Sequence, residues 1–260
     1  MNADVTVVMP HFNALVTVRE SILSVLAQTL PVRELIIVDD ASDDVGGLLV
    51  IVAEFRQRLP ISVISLASNM GAGHARSEAV GVAAGKYLAF LDADDVWHPE
   101  KIAVQYSAME RTGLRISGHR YVHDLRRQPM DGVVAGPATS VPIFRFVHGN
   151  PFYTPTVMVL REGFICFDPR YRRLDDYKCW LMNVKVSGGS MIPAALAGGF
   201  KPAIGASGLT SSFRVMHRAF VDILHDLYRE GVIGLPFLVT ARIIEHVKFP
   251  LRVLKSKFLA

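Results

Sequence analysis

Cysteine is scarce in this 260-residue chain: Cys166 and Cys179 are the only two. That excludes a disulfide-framed secreted scaffold, and their spacing fits no metal site. A long apolar run is also missing. A spanning helix needs about 20 consecutive apolar residues, and the longest comparable stretch, Gly231 to Ala241, is much shorter and contains Pro236. The N-terminus has no basic region before its short apolar run (Val5 to Met9), so a secretory signal is not expected. Strong net charge is missing too. The formal charge is +4, and the stretch from Pro236 to Ala260 carries all of it, with Arg242, Lys248, Arg252, Lys255 and Lys257 against Glu245. The remaining residues balance, which argues against a nucleic-acid partner. Apolar residues, by contrast, are plentiful. They make up half the chain, and the mean hydropathy of +0.30 excludes intrinsic disorder.

The first hundred residues alternate two periodicities. Apolar, β-branched runs at Val5–Met9, Leu35–Val38, Ile61–Leu66 and Tyr87–Leu91 read as buried strands. Helical spacing marks Val16–Gln28, Leu48–Arg58 and Ala72–Ala84. Repeated strand–helix units imply an α/β fold with a mostly parallel sheet flanked by helices. Ligands of such sheets bind beyond the carboxyl ends of the strands. Those ends carry polar chemistry here: Pro10-His11-Phe12-Asn13, Asp39-Asp40 and Asp92-Ala93-Asp94-Asp95, with Asn69 beyond the third strand. After Pro99 the pattern loosens. Helices are expected at Glu100–Arg111, Leu174–Val186 and Phe213–Glu230, with short strands and Gly/Pro loops between residues 113 and 172.

Three carboxylates within four residues repel one another. Asp92 to Asp95 therefore reads either as a site for Mg²⁺ or Mn²⁺ or as a solvated acidic turn. The glycines of Asn69-Met70-Gly71-Ala72-Gly73-His74-Ala75-Arg76 permit close backbone approach before a helix. The segment matches neither a dinucleotide fingerprint nor a P-loop, so a simple helix-starting turn stays open. Asp175-Asp176 opens a helix, where acids are ordinary. His119 and His123 read as ordinary polar residues, and the two cysteines as packed or inert thiols.

Together, these segments resemble glycosyltransferase family 2, inverting enzymes of the GT-A (Rossmann-like) fold. Val7 to Asn13 is similar to the family's opening strand, Ser21 to Thr29 to its first helix, and Glu34 to Ser42 to its second strand and acidic turn. Asn69 to Arg76 resembles its Asn-x-Gly-x-x-x-Ala-Arg segment, and Gly85 to Lys101 its metal-binding stretch. The resemblance is strong over residues 4–112, patchier to about 186 and faint beyond. It implies a nucleotide site of Pro10, Phe12 (stacking on the base), Asn13, Asp40, Asn69, Arg76 and Asp92. It also implies that Asp94 holds Mn²⁺ or Mg²⁺ and that Asp176 is the general base. Asp175 stands where the family has Glu. No Gln-x-x-Arg-Trp segment is present, so a transferase adding one sugar is expected, with a UDP-sugar as donor and a saccharide or lipid-linked saccharide as acceptor. The acceptor cleft is expected along Gly149 to Val159.

The expected organisation is a nucleotide-sugar-binding half (1–112), an acceptor-binding half of the same domain (113–210) and a C-terminal helical extension (211–260). In the tail, Val239, Ile243, Val247, Leu251, Leu254 and Phe258 recur at helical spacing, with Pro250 expected to kink or divide the helix. Residues 236–260 could lie on an anionic membrane surface or pack on the core. The expected location is cytoplasmic, on the inner face of the membrane if the tail binds lipid. Two rival readings are a sugar nucleotidyltransferase and an inactive saccharide- or nucleotide-sugar-binding module. The first lacks its usual Gly-rich N-terminal loop, and the second is disfavoured by the presence of Asp94 and Asp176.

Overall fold

The computed structural model describes residues 2–125, 136–199 and 213–258. Four strands, β1 (Ala3–His11), β2 (Val32–Asp39), β3 (Ile61–Ser65) and β4 (Tyr87–Phe90), lie parallel in the order β3-β2-β1-β4. Helices α1 (Leu15–Leu26), α2 (Val45–Ala53) and α3 (Ala72–Val82) make the crossovers. The sheet continues past β4 through β8 (Met158–Leu160), β6 (Ile116–Val122) and β9 (Gly189–Gly199) to β5 (Asp95–Trp97). β7 (Thr139–Val141) pairs with β9. Beyond β4 the pairings mix parallel and antiparallel. Helices α4 (Lys101–Thr112), α5 (Asp175–Ser187), α6 (Phe213–Arg229) and α7 (Leu235–Phe258) complete the chain.

Strands covered on both faces read as unbroken apolar runs, and β1 and β4 do so. Val5, Val7 and Met9 point to one face, against Ile22 of α1, Leu48 of α2 and Ile102 of α4. Val8 and Phe90 point to the other, where α3, α5, α6 and α7 pack. Phe90 sits at the centre of an aromatic group on that face. Its ring lies 5.2 Å from that of Trp180, 5.7 Å from Phe167 and 5.9 Å from Phe164. Trp180 is fully buried, so this group fastens α5 to the middle of the sheet.

Two features differ from expectation. Gly189–Gly199 forms the longest strand of the second half although its Gly, Ala and Pro residues favour no strand; pairing with β5, β6 and β7 imposes it. Pro250 does not divide the tail, since α7 runs unbroken from Leu235 to Phe258 with Pro250 inside it. The expected boundary at 210–211 lies outside the described residues.

The strand order reverses between β1 and β4. β1 leads leftward to β2 and β3, and the chain then returns to β4 on its other side. The carboxyl ends of β1 and β4 therefore flank a crevice, the position at which such sheets take ligands. Emptying the aromatic centre should loosen this frame. Trp180→Ala is expected to lower unfolding free energy by about 3–5 kcal/mol, read by urea denaturation.

Candidate active site

Strand β1 ends in a turn held by side chains. Asn13, in the left-handed region at φ 49°, receives Asp43 N–H on its Oδ1 at 2.9 Å, and its amide donates to Asp43 Oδ2 at 3.0 Å. The Asn13 N–H donates to Ser42 Oγ at 2.9 Å. One residue earlier, Phe12 stands half exposed over the crevice rim, unlike its buried neighbours Pro10 and His11.

The two aspartates after β2 face different partners. Asp39 is buried against His11 Nδ1 at 2.7 Å and accepts the Ser42 hydroxyl at 2.5 Å and the Ser42 N–H at 3.1 Å. Burial pushes its carboxyl up, but the Ser42 and His11 hydrogen bonds outweigh burial and hold it below its ordinary value. Asp40 reaches across to α3, where Met70 N–H donates to one carboxylate oxygen at 2.6 Å and Gly71 N–H to the other at 2.7 Å. Asn69 Nδ2 donates to the Asp40 carbonyl at 3.1 Å, and Arg172 donates to both the Asn69 carbonyl and its side chain. Asp40 and Asn69 thus fix the start of α3.

The candidate site residue on α3 itself is Arg76, which is buried. Its Nη2 donates to Asp92 at 2.6 Å and its Nη1 lies 3.4 Å from Asp175 Oδ2, while the guanidinium sits 5.4 Å from the centre of the Phe167 ring. Burial opposes the charge, yet Asp92 and Asp175 more than compensate and raise its pKa further. Gly73 lies one turn before Arg76 on the same helix. A Cβ at Gly73 would collide with the Asp175 carboxylate, so only glycine lets α3 lie against α5 there.

Asp92, Asp94 and Asp95 each place a carboxylate oxygen within 4.8 Å of the others. Hard oxygen donors in such a cluster suit a divalent cation. Asp95 is the inner member and accepts the Tyr121 hydroxyl at 2.7 Å. Ser21 of α1 and Gln28 just beyond it anchor this stretch: Ser21 donates to the Asp95 carbonyl at 2.7 Å, and Gln28 bridges the His98 carbonyl and Ile102 N–H, both at 2.9 Å.

Across the crevice, Leu174 adopts a left-handed conformation (φ 55°) and turns the chain into α5, which opens on Asp175 and Asp176. Asp175 is buried against Arg76. Asp176 is half-buried, accepting its own helix's Tyr177 N–H and the Asn150 amide, each at 2.8 Å. Burial and the neighbouring Asp175 charge push the Asp176 carboxyl up to about 6, with Arg76 pulling the other way. Burial likewise raises Asp175.

The structure therefore brings Arg76, Asp92, Asp175 and Asp176 into one connected group, with Asp94 and Asp95 alongside Asp92. Pro10, Phe12, Asn13, Asp40 and Asn69 form the wall at the ends of β1 and β2. Sequence reasoning missed Asn150 as a site residue, although it placed the surrounding segment in the acceptor cleft. Of the two cysteines, Cys179 is buried and Cys166 is exposed.

The chain is similar to known proteins. The model of "Glycosyl transferase family 2" matches residues 6–165. TuaG of Bacillus subtilis, named for teichuronic acid biosynthesis, is 34% identical over 196 residues, 70% of this chain and 72% of that protein. WfaP of Escherichia coli, named as a UDP-Glc:α-D-GlcNAc-diphosphoundecaprenol β-1,3-glucosyltransferase, is 30% identical over 183 residues, 68% of each chain. Among solved structures, TarS 1–349 of S. aureus superimposes with a TM-score of 0.71 at 18% identity, covering 96% of this chain and 72% of that one. A mannosyltransferase of Pyrobaculum calidifontis, solved with GDP-Man and Mn²⁺, superimposes with a TM-score of 0.66 at 17% identity over the same shares. The two structures establish the expected GT-A fold. With the family model matched over most of the chain and relatives aligned over two thirds of their length, this chain belongs to glycosyl transferase family 2 and is a glycosyltransferase.

Proposed function

We propose that the protein transfers one sugar from a UDP-sugar, with inversion, to a hydroxyl of a lipid-linked saccharide in cell-surface polysaccharide synthesis, using Mn²⁺ or Mg²⁺. The observation that carries this reading is the Arg76 bridge. One buried guanidinium ties Asp92, on the side of the acidic cluster, to Asp175, the neighbour of the acceptor-side carboxylate Asp176. The relative acting on a diphosphoundecaprenol-linked sugar supports the donor and acceptor classes. The Mn²⁺ complex of a fold neighbour and the oxygen cluster of Asp92, Asp94 and Asp95 support the cation.

In this reading Phe12 stacks on the nucleobase, with Pro10 and Asn13 shaping the turn beneath it. Asp40, Asn69, Arg76 and Asp92 line the nucleotide side. Asp94 holds the cation, with Asp92 in its shell. When bound, that ion supplies positive charge beside the diphosphate leaving group. Asp176 takes the proton from the acceptor hydroxyl as that oxygen attacks the anomeric carbon from the face opposite the leaving diphosphate. A single displacement of this kind inverts the anomeric configuration. Asn150 holds one oxygen of the base and the Tyr177 N–H the other, which fixes its direction.

A carboxylate base must be ionised, so kcat/KM should fall as pH drops through about 6. Asp176→Asn is expected to lower kcat by about 10²–10⁴-fold while UDP still binds, measured by radiolabelled transfer and calorimetry. Normal transfer by this variant would remove Asp176 as base. The Asn150 hydrogen bond favours the ionised form, so Asn150→Ala should move the acid limb upward by about one pH unit.

The cation assignment is tested separately. Asp94→Asn, or chelation with EDTA, should weaken UDP binding by about tenfold or more. Titrations with Mn²⁺ and Mg²⁺ identify the ion.

A further inference from the structure

A cavity of about 470 Å³ is lined in part by Asn150, the residue that holds the proposed base. Leu174, which turns the chain into α5, lines it as well. Val147, Phe220 and Ile244 supply apolar wall, the last two from α6 and α7. Two basic side chains of α7, Lys248 and Arg252, line the same space. Lys248 Nζ donates to the His148 carbonyl at 2.7 Å, and an ammonium carries three N–H donors in all. Arg252 pairs with Glu245 through Nη2, and its side chain is 44% exposed. Among the described residues, Glu245 is the single carboxylate lining the cavity, and it also meets His217 Nδ1 at 3.0 Å. Two cations against one anion leave the space electropositive.

The outer face of α7 continues this cavity with a different chemistry. Val239, Ile243, Val247, Leu251 and Leu254 are each 45–60% exposed, and they recur at helical spacing as one aliphatic row. Leu251 belongs to both surfaces, lining the cavity and standing in the row. A proton-accepting carboxylate, an electropositive cavity and an exposed aliphatic row therefore follow one another along α5, the Gly149–Asn150 turn and α7. An occupant matching all three carries a sugar hydroxyl, then a short polyanion, then a long hydrocarbon chain.

We propose that this cavity receives the diphosphate of a lipid-diphosphate-linked acceptor. Lys248 and Arg252 bind its oxygens, and the lipid lies along the aliphatic row of α7 at a membrane surface. The proposal deepens the lipid-linked acceptor reading above and rests on it. It adds that the C-terminal extension is part of the substrate site. One face of α7 packs through Phe237, Leu238 and Ala241, and another stays exposed. Among the described residues, no helix is long and apolar enough to cross a membrane, so the contact is lateral.

The test uses the full chain saturated with UDP and Mn²⁺, so that the donor's own diphosphate position is filled. Undecyl diphosphate, kept below its micellar concentration, is titrated by calorimetry. Saturable binding is expected. It should weaken by about tenfold or more in Lys248→Ala/Arg252→Ala and also weaken in Leu251→Asp. UDP binding and the circular dichroism of each variant report that the fold is intact. Equal affinity of the double variant would overturn the proposal. So would inorganic pyrophosphate binding as tightly as the alkyl diphosphate, which marks a bare anion site. Undecyl maltoside competing equally would overturn it as well, as the mark of an unselective apolar surface. If the wild-type chain binds undecyl diphosphate but neither UDP nor any UDP-sugar, the donor reading fails while the cavity assignment stands. If it binds UDP but no alkyl diphosphate, the cavity assignment fails alone.

Discussion

Arg76 is the group on which the site's assembly depends. A guanidinium removed from water is costly unless its charge is met, and several kcal/mol are at stake when one partner is lost. Here the charge is met by two carboxylates from distant parts of the chain, Asp92 after β4 and Asp175 at the start of α5, 99 residues from Arg76. Neither acid is comfortable without the arginine, because each stands beside other acids. The three groups therefore form together or not at all, and their formation brings the acidic cluster and the candidate base to opposite sides of one crevice. The Phe167 ring beneath the guanidinium belongs to the aromatic group around Phe90, so the charged centre rests directly on the apolar core.

Paired aspartates recur in this protein, and in each pair the members do different work. Asp39 is consumed by His11 and Ser42, which secures the turn after β2, whereas Asp40 reaches out to the backbone of α3. Asp175 is buried against Arg76, whereas Asp176 keeps part of its surface toward solvent and a hydrogen bond from Asn150. Adjacent carboxylates on a helix point about 100° apart, so one can face the protein while the next faces a ligand.

The proposed donor side was legible in the sequence because its chemistry is concentrated at strand ends, within a few residues of apolar runs that are unmistakable. Phe12, Asp40 and Asp92 to Asp95 could be found by walking along β1, β2 and β4. The acceptor side was harder to read. Asn150 is a lone amide in a Gly-Asn-Pro turn, and nothing local distinguishes it from an ordinary loop asparagine. Its role arises only when α5 brings Asp176 beside it. The small-residue strand β9 was invisible for the opposite reason: its conformation is dictated by neighbours on both sides rather than by its own side chains. Gly73 was noticed as a glycine that permits close approach. What approaches it is a carboxylate of α5, a contact that no local pattern contains.

The strand order has a further consequence for how copies of the protein meet. A sheet of this width ends somewhere, and an open edge is a template on which another chain can add a strand. Among the described residues, the outer strand on one side, β3, is five residues long, and those on the other, β5 and β7, are three each. β5 is also tied inward, with Ser21 on the Asp95 carbonyl and the Trp97 indole donating to the Pro155 carbonyl at 2.7 Å. The long strands β1, β2 and β9 all lie inside the sheet, where their backbone groups are already paired. The molecule can thus crowd at high local density while offering its neighbours little backbone on which to start an aggregate.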